Sequence, residues 1–266
     1  MDDSRAPLLT RIKHSFIRHF FPTAGLSFAK RCNAITSCVA FTVIVSTQIS
    51  GSVAAESVKQ QSITIQGAVS VFDGDTLEIG PMLIRLHGVD APEKAQNCDT
   101  AGAGTWRCGT AASNRVQALI NGRNISCEAL DRDPYGRIIA RCSAGGRDIG
   151  ATLIEEGLAW AFVEYSEDYV ALEGKARAQA VGVWRAETQT PWDFRDDKWN
   201  RALTDAPGGR CPIKGNIGAG KDKLKIYHTP WSPNYGNTKI NVDDGERWFC
   251  DEAEALTAGW RPVADR

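Results

Sequence analysis

Short β-branched runs broken by turn signals, interleaved with three helical patterns, predict an α+β fold: a five-stranded barrel of OB type with three helices, followed by a small C-terminal module. Two observations set the division. Helical and strand periodicity fades after Pro191-Trp192, and Ala206-Pro207-Gly208-Gly209 has the composition of a linker. At 266 residues the chain is long enough for one full domain and a smaller unit. The expected boundaries are a barrel domain over 62–194, a linker over 195–210 and a module over 211–266.

Residues 62–72 alternate and are β-branched, as a half-buried strand requires. Asp73-Gly74-Asp75 turns the chain, 76–79 begin a second strand, and Gly80-Pro81 turns it again before a third over 82–89. Residues 105–120 read as a helix with Ala112, Val116, Leu119 and Ile120 on one face, ended by Asn121-Gly122. Residues 124–130 and 137–142 form a hairpin around Asp133-Pro134-Tyr135-Gly136. A short helix over 149–156 stops at Gly157. The last long helix is expected from Ser166, an N-cap followed by two acids at the positive dipole end. Its apolar stripe is Tyr169, Leu172, Ala176, Ala180 and Val183.

The first 55 residues read as a targeting segment. Six basic residues precede an apolar run over 34–49, and Val53-Ala54-Ala55 fits a small-x-small cleavage site. Six polar residues interrupt that run, and it is short for a membrane span of roughly 20 residues. It is read as a signal peptide, with an uncleaved N-terminal anchor and hence a membrane tether as the alternative. Both readings place the protein outside the cytoplasm, periplasmic or secreted.

Of eight cysteines, two lie in that segment. The other six form an even set, which in an exported chain reads as disulfides. Cys98 and Cys108 flank one loop, Cys127 and Cys142 lie on the two strands of the hairpin, and Cys211 and Cys250 remain for the module; these are the expected pairs. Cys211, Cys250 and His228 offer only three zinc ligands, and no CxxC pair occurs.

The whole chain carries a formal net charge of −1. From residue 56 onward, 25 basic residues face 30 acidic ones, a net of −5. No global basic field therefore gathers nucleic acid, and any such chemistry rests on a local site. The informative window holds Asp73-Gly74-Asp75-Thr76, Arg85, Asp90-Ala91-Pro92-Glu93 and Asp133-Pro134-Tyr135-Gly136-Arg137. Asp75 at a turn and Asp90 at a strand end can give two carboxylates to one hard cation such as Ca²⁺. Glu93 adds a nearby carboxylate suited to act as a general base on water. Arg85 and Arg137 are planar forks that can grip phosphoryl oxygens. Singly, each has a bland reading: a solvated turn, or an arginine with its stem packed.

The ordered set Asp-Gly-Asp-Thr, Arg-Leu-x-Gly-Val-Asp-x-Pro-Glu and Asp-x-Tyr-Gly-Arg resembles the signature of the staphylococcal (thermonuclease-like) nuclease family over roughly 63–184. The resemblance implies Ca²⁺ held by Asp75, Asp90 and the backbone carbonyl of Ala91. It implies Glu93 as general base, Arg85 and Arg137 as catalytic phosphate-binding residues, and Tyr135 and Tyr165 at the substrate. It further implies hydrolysis of DNA or RNA without a covalent intermediate, 3′-phosphate products and little sequence specificity. Ala91 stands where a Thr is common, Pro134 replaces a Lys, and Val163 takes the place of a second pocket tyrosine. The rival readings are a non-catalytic OB module binding single strands, or an exported interaction protein. The C-terminal module faintly resembles tail modules of other bacterial extracytoplasmic proteins and the metal-binding part of DNA-repair methyltransferases. It contains none of the catalytic motifs, so the barrel domain is expected to work without it.

Overall fold

The computed structural model describes residues 68–263, so the targeting segment and residues 62–67 of the first expected strand lie outside the described residues. The described residues lie in one compact unit. In chain order its elements begin with β1 (Val69–Val71), β2 (Thr76–Ile79), β3 (Met82–Leu86), β4 (Val89–Asp90), β5 (Cys98–Asp99), β6 (Thr105–Trp106) and α1 (Cys108–Ile120). They continue with β7 (Ile125–Arg132), β8 (Ile138–Ala144), β9 (Arg147–Asp148), α2 (Ile149–Glu155), β10 (Trp160–Ala161), α3 (Val170–Ala178) and α4 (Pro191–Leu203). The module supplies β11 (Ile213–Ile217), β12 (Lys225–His228), β13 (Arg247–Phe249), α5 (Glu252–Thr257) and β14 (Arg261–Pro262). Among the described residues no helix is long and apolar enough to cross a membrane.

The main sheet runs β1-β2-β3-β8-β7, with β9 attached to β8. All pairs are antiparallel except β3 with β8, whose register sets Ile84 against Ile138 and Arg85 against Ile139. A bulge in β7 between Ala129 and Asp131 helps the sheet curl. This curled mixed sheet with helices is the α+β, OB-type architecture expected. Its inner face packs Leu77, Ile84, Ala140, Val116, Ile149 and Leu153 into one fully buried core. Each Leu, Ile or Val among them contributes roughly 1.5–3 kcal/mol by burial. The predicted face of α1, Ala112, Val116, Leu119 and Ile120, is the buried one.

Four boundaries depart most from expectation, each for a local reason. The third strand stops at Leu86 because Gly88 takes φ +66° and turns the chain. Val89 and Asp90 then pair with Ala161 and Trp160 of β10. The first helix begins at Cys108, since Thr105 and Trp106 pair instead with Asp99 and Cys98. The helix expected from Ser166 begins at Val170. Ser166 Oγ is spent accepting from Asp168 N within the preceding turn, at 3.1 Å. That helix ends at Ala178, before two residues of its expected stripe, because Gly182 at φ +56° brings its backbone onto Gly157. Val183 N then donates to Gly157 O at 2.8 Å.

The expected linker is ordered as secondary structure. Residues 195–203 continue α4, and Pro207–Gly209 form a 3₁₀ turn. Thr190 caps α4, with its Oγ1 accepting from Asp193 N at 3.3 Å and donating to Asp193 Oδ2 at 2.7 Å, and Pro191 opens the first turn. The module is a sheet in the order β13-β11-β12-β14 with α5. Its core is Ile213, Tyr227, Phe249, Ala255 and Trp260, and Trp199 of α4 packs against it. The three disulfides are Cys98–Cys108, Cys127–Cys142 and Cys211–Cys250, the pairs expected. With Cys211 and Cys250 bonded to each other, the module holds no zinc set on those residues.

Candidate active site

Backbone turns bring the charged motif residues together. In the 72–76 turn, Phe72 N and Asp73 N donate to Thr76 O, and Asp75 N donates to Asp73 Oδ1 at 3.0 Å. Gly74 is required there: a Cβ would come within 2.7 Å of Ala91 Cβ. Asp75 Oδ2 accepts from Ala91 N at 2.8 Å, tying the turn to the end of β4. Asp75 Oδ1 pairs with Arg85 Nη1, whose other arm, Nη2, reaches Asp90 Oδ1 at 3.0 Å. Arg85 thus bridges two buried carboxylates.

Beyond Pro92 the chain lies on the start of α1. A Cβ at Gly109 would sit 1.8 Å from Glu93 O, so only glycine lets this loop approach the helix. Gln96, fully buried, fastens the loop: Glu93 N donates to its Oε1 at 3.1 Å, and Gly109 N donates to its carbonyl at 3.3 Å. Just past Gln96, the Cys98–Cys108 disulfide ties the end of this loop to the start of α1.

One residue that motif reasoning missed completes the cluster. Arg195 of α4 donates through Nη1 to Asp90 Oδ1 at 3.1 Å and to Glu93 Oε1 at 2.8 Å, and through Nη2 to Asp90 Oδ2 at 2.8 Å. Arg137 stands at the start of β8, one residue before the partner of Ile84. Asp133 orients it, accepting from Arg137 Nε at 2.6 Å and from its backbone N at 2.9 Å.

The electrostatics follow from burial and these pairings. Burial pushes Glu93 up to about 7 against the pull of Arg195. Burial also acts to raise Asp90, but Arg85 and Arg195 together outweigh it and hold the carboxyl below its ordinary value. Burial raises Asp73, which Arg85 and Arg137 partly oppose. Desolvation lowers Arg85, though it stays cationic at neutral pH, as arginine does. Burial works against the charge of Arg137, yet Asp133 and Glu252 of α5 hold its proton affinity above the ordinary value.

Among the described residues, no three His, Cys, Asp or Glu side chains converge as a ready metal cage. The donor set of Asp75, Asp90 and a main-chain carbonyl has two carboxylates, which suits a hard cation that keeps several waters. A single guanidinium reaches an oxygen of each, so the two buried carboxylates stand close enough to share one such ion, which would take the place now held by the arginine contacts.

The two tyrosines fall elsewhere. Tyr135 is 38% exposed in the hairpin turn, with the Arg137 guanidinium 5.5 Å from its ring. Tyr165 is 64% exposed in the loop after β10, its ring 4.8 Å from Phe162, which stacks in turn on Trp192 of α4 at 6.2 Å. Val163, beside it, is 62% exposed. A cleft of about 50 Å³ separates barrel and module, lined by Phe72, Leu83, Tyr135 and Arg137 on one side and by Tyr227 and Glu252 on the other.

Comparison with known proteins agrees with this geometry. Residues 83–186 match the family model described as staphylococcal nuclease homologue. The chain is 35% identical over 143 residues to the succinoglycan biosynthesis protein ExoI of Rhizobium meliloti (strain 1021), covering 52% of this chain and 73% of that protein. It is 33% identical over 138 residues to an uncharacterized endonuclease of Escherichia coli, covering 49% and 84%. It is 30% identical over 156 residues to a micrococcal nuclease of Shigella flexneri, covering 52% and 81%. A curled OB-type sheet with buried carboxylates and arginines gathered beside it suits a phosphodiester-cleaving hydrolase. The chain belongs to the staphylococcal nuclease family and is a nuclease acting on nucleic acid. Arg195 and the module lie beyond the residues that the family model matches.

Proposed function

We propose that this nuclease is Ca²⁺-dependent and hydrolyses DNA or RNA with little sequence specificity, by direct attack of water. The observation that carries this reading is the single hydrogen-bonded network joining Asp75, Arg85, Asp90 and Glu93. Asp75, Asp90 and the carbonyl of Ala91 would hold the cation, which supplies Lewis-acid polarisation of the phosphoryl oxygen. Glu93 takes the proton of the attacking water; a carboxylate drawn up to about 7 is well matched to that task near neutral pH. Arg85 and Arg137 grip the scissile phosphoryl group and neutralise the charge that grows on its oxygens. Tyr135, beside Arg137, contacts the substrate near the phosphate, and exposed Tyr165 offers a ring face for a base. The three disulfides support an exported protein, since such bonds persist in oxidising compartments.

The test is cleavage of a labelled oligonucleotide with Ca²⁺ or with excess chelator, using the wild type and Glu93→Gln. Activity should vanish in chelator, and the variant should lose roughly 10²–10⁴ in kcat. Near-normal turnover in either condition sinks the assignment.

A further inference from the structure

We propose that Arg195, supplied from beyond the nuclease domain, is a positioning residue that holds Glu93 in register with Asp90. The inference rests on the proposed role of Glu93 as base. Arg195 is placed by construction from several directions. Gln96 Nε2 donates to Gln189 O at 2.7 Å, so the residue that fixes the Glu93 main chain also fixes the approach to α4. Thr190 and Pro191 then start the helix, and Arg195 lies one turn inside it. Trp192, on the first turn, packs edge-on to Trp160 of β10 at 6.5 Å, and Trp199, one turn beyond Arg195, packs into the module core. The guanidinium closes the ring from α4 back to Glu93 and Asp90, with its side chain only 23% exposed.

The geometry gives this arginine a definite task. A glutamate has three rotatable bonds, and a general base works only when its oxygen faces the water it deprotonates. Arg195 takes Glu93 Oε1 and both oxygens of Asp90, which aligns the two carboxylates and leaves Glu93 Oε2 as the basic oxygen. Only a planar fork spans two carboxylates in this way; a lysine supplies the charge as a single point.

The experiment uses the full chain with Arg195→Lys and Arg195→Gln. It measures kcat and KM separately, Ca²⁺ affinity by calorimetry on metal-free protein, and thermal melts. Both variants should lose on the order of 10–100-fold in kcat, the usual cost of losing a supporting partner, with KM within a few-fold. Both should still bind Ca²⁺ at least as tightly as the wild type, because a competing positive charge is gone or loosened. Arg195→Lys should melt near the wild type yet stay slow, which a purely structural role does not produce. The inference falls if Arg195→Lys turns over at the wild-type rate, if excess Ca²⁺ restores kcat, or if KM rises while kcat holds. A wild type that binds no Ca²⁺ and cleaves in chelator defeats the metal assignment instead; the kcat of the two variants still decides the role of Arg195.

Discussion

Glu93 should make the stability of the metal-free protein depend on pH, and with a sign opposite to that of most native carboxylates. Its carboxyl is buried beside Asp73 and Asp90, and its proton affinity rises from an ordinary 4.5 to about 7 despite Arg195. The folded state then holds a proton that the unfolded chain has released across that window. The associated stability is fully present below about 4.5 and is lost as pH rises through about 7. At 1.36 kcal/mol per pH unit the loss is at most about 3 kcal/mol, and the side chain, 16% exposed, is dry enough for most of it to survive. Glu93→Gln removes the titration while keeping an oxygen for Arg195. The assay is urea unfolding of both proteins in chelator from pH 4.5 to 8. Comparing the two cancels the titrating groups that do not interact with Glu93; Asp73 and Asp90 beside it also respond to the lost charge, in the direction of an easier ionisation. The variant should gain up to about 3 kcal/mol relative to the wild type over that range, or about 1–3 M in urea midpoint. A stability difference that stays flat across the range would show that Glu93 is not the buried, proton-holding group described, and the base assignment would lose its physical support.

Arg85→Lys and Arg137→Lys keep the charge but lose the planar fork, so each should lower kcat/KM on the order of 10²–10³ in folded protein, read by steady-state kinetics. The two barrel disulfides should separate. The Cys127–Cys142 bond, spanning 15 residues, contributes on the order of 3 kcal/mol, and its paired Ser variant should melt lower with kcat unchanged. Removal of Cys98–Cys108, which anchors the chain just after Glu93 and Gln96 to the start of α1, should lower kcat as well. A truncated chain of residues 62–194 ends just before Arg195 and should lose at least as much kcat as Arg195→Gln, measured by single-turnover cleavage; full activity in that chain would show that neither α4 nor the module serves the site.

How much of this was legible in the sequence depends on how local each feature is. Asp75, Arg85, Asp90, Glu93 and Arg137 stand in short, ordered motifs, and the fold brings Asp75, Arg85, Asp90 and Glu93 into one network. The hairpin carrying Cys127 and Cys142 was readable from alternation and a turn, and its register sets those residues opposite each other. The two-residue strands β4 and β10 were not readable, because pairing between residues 70 apart leaves no periodic trace in so short a run. Helix α4 was missed for a different reason. Its charged, aromatic composition has a weak apolar face, yet its start signal was present: Thr190-Pro191-Trp192-Asp193 is a capping box with proline at the first helical position. What no local pattern carries is that Arg195, one turn later, reaches carboxylates 105 and 102 residues earlier in the chain.

The position of α4 also changes what the C-terminal module can be. An appended unit joined by a linker would leave the catalytic cluster alone. Instead one helix carries Arg195 on the cluster and, a turn later, Trp199 on the module core, while Glu252 of the module acts on Arg137 across the cleft. Arginine and tryptophan four residues apart lie along the same side of a helix, so a shift of the module that moves Trp199 also moves the guanidinium. The barrel supplies the reacting groups, but the alignment of its base is set by a helix whose far end is anchored in another core. A chain that carries a net charge of −5 from residue 56 onward can cut nucleic acid on such terms, because the positive charge that matters is built into the site by Arg85, Arg137 and Arg195.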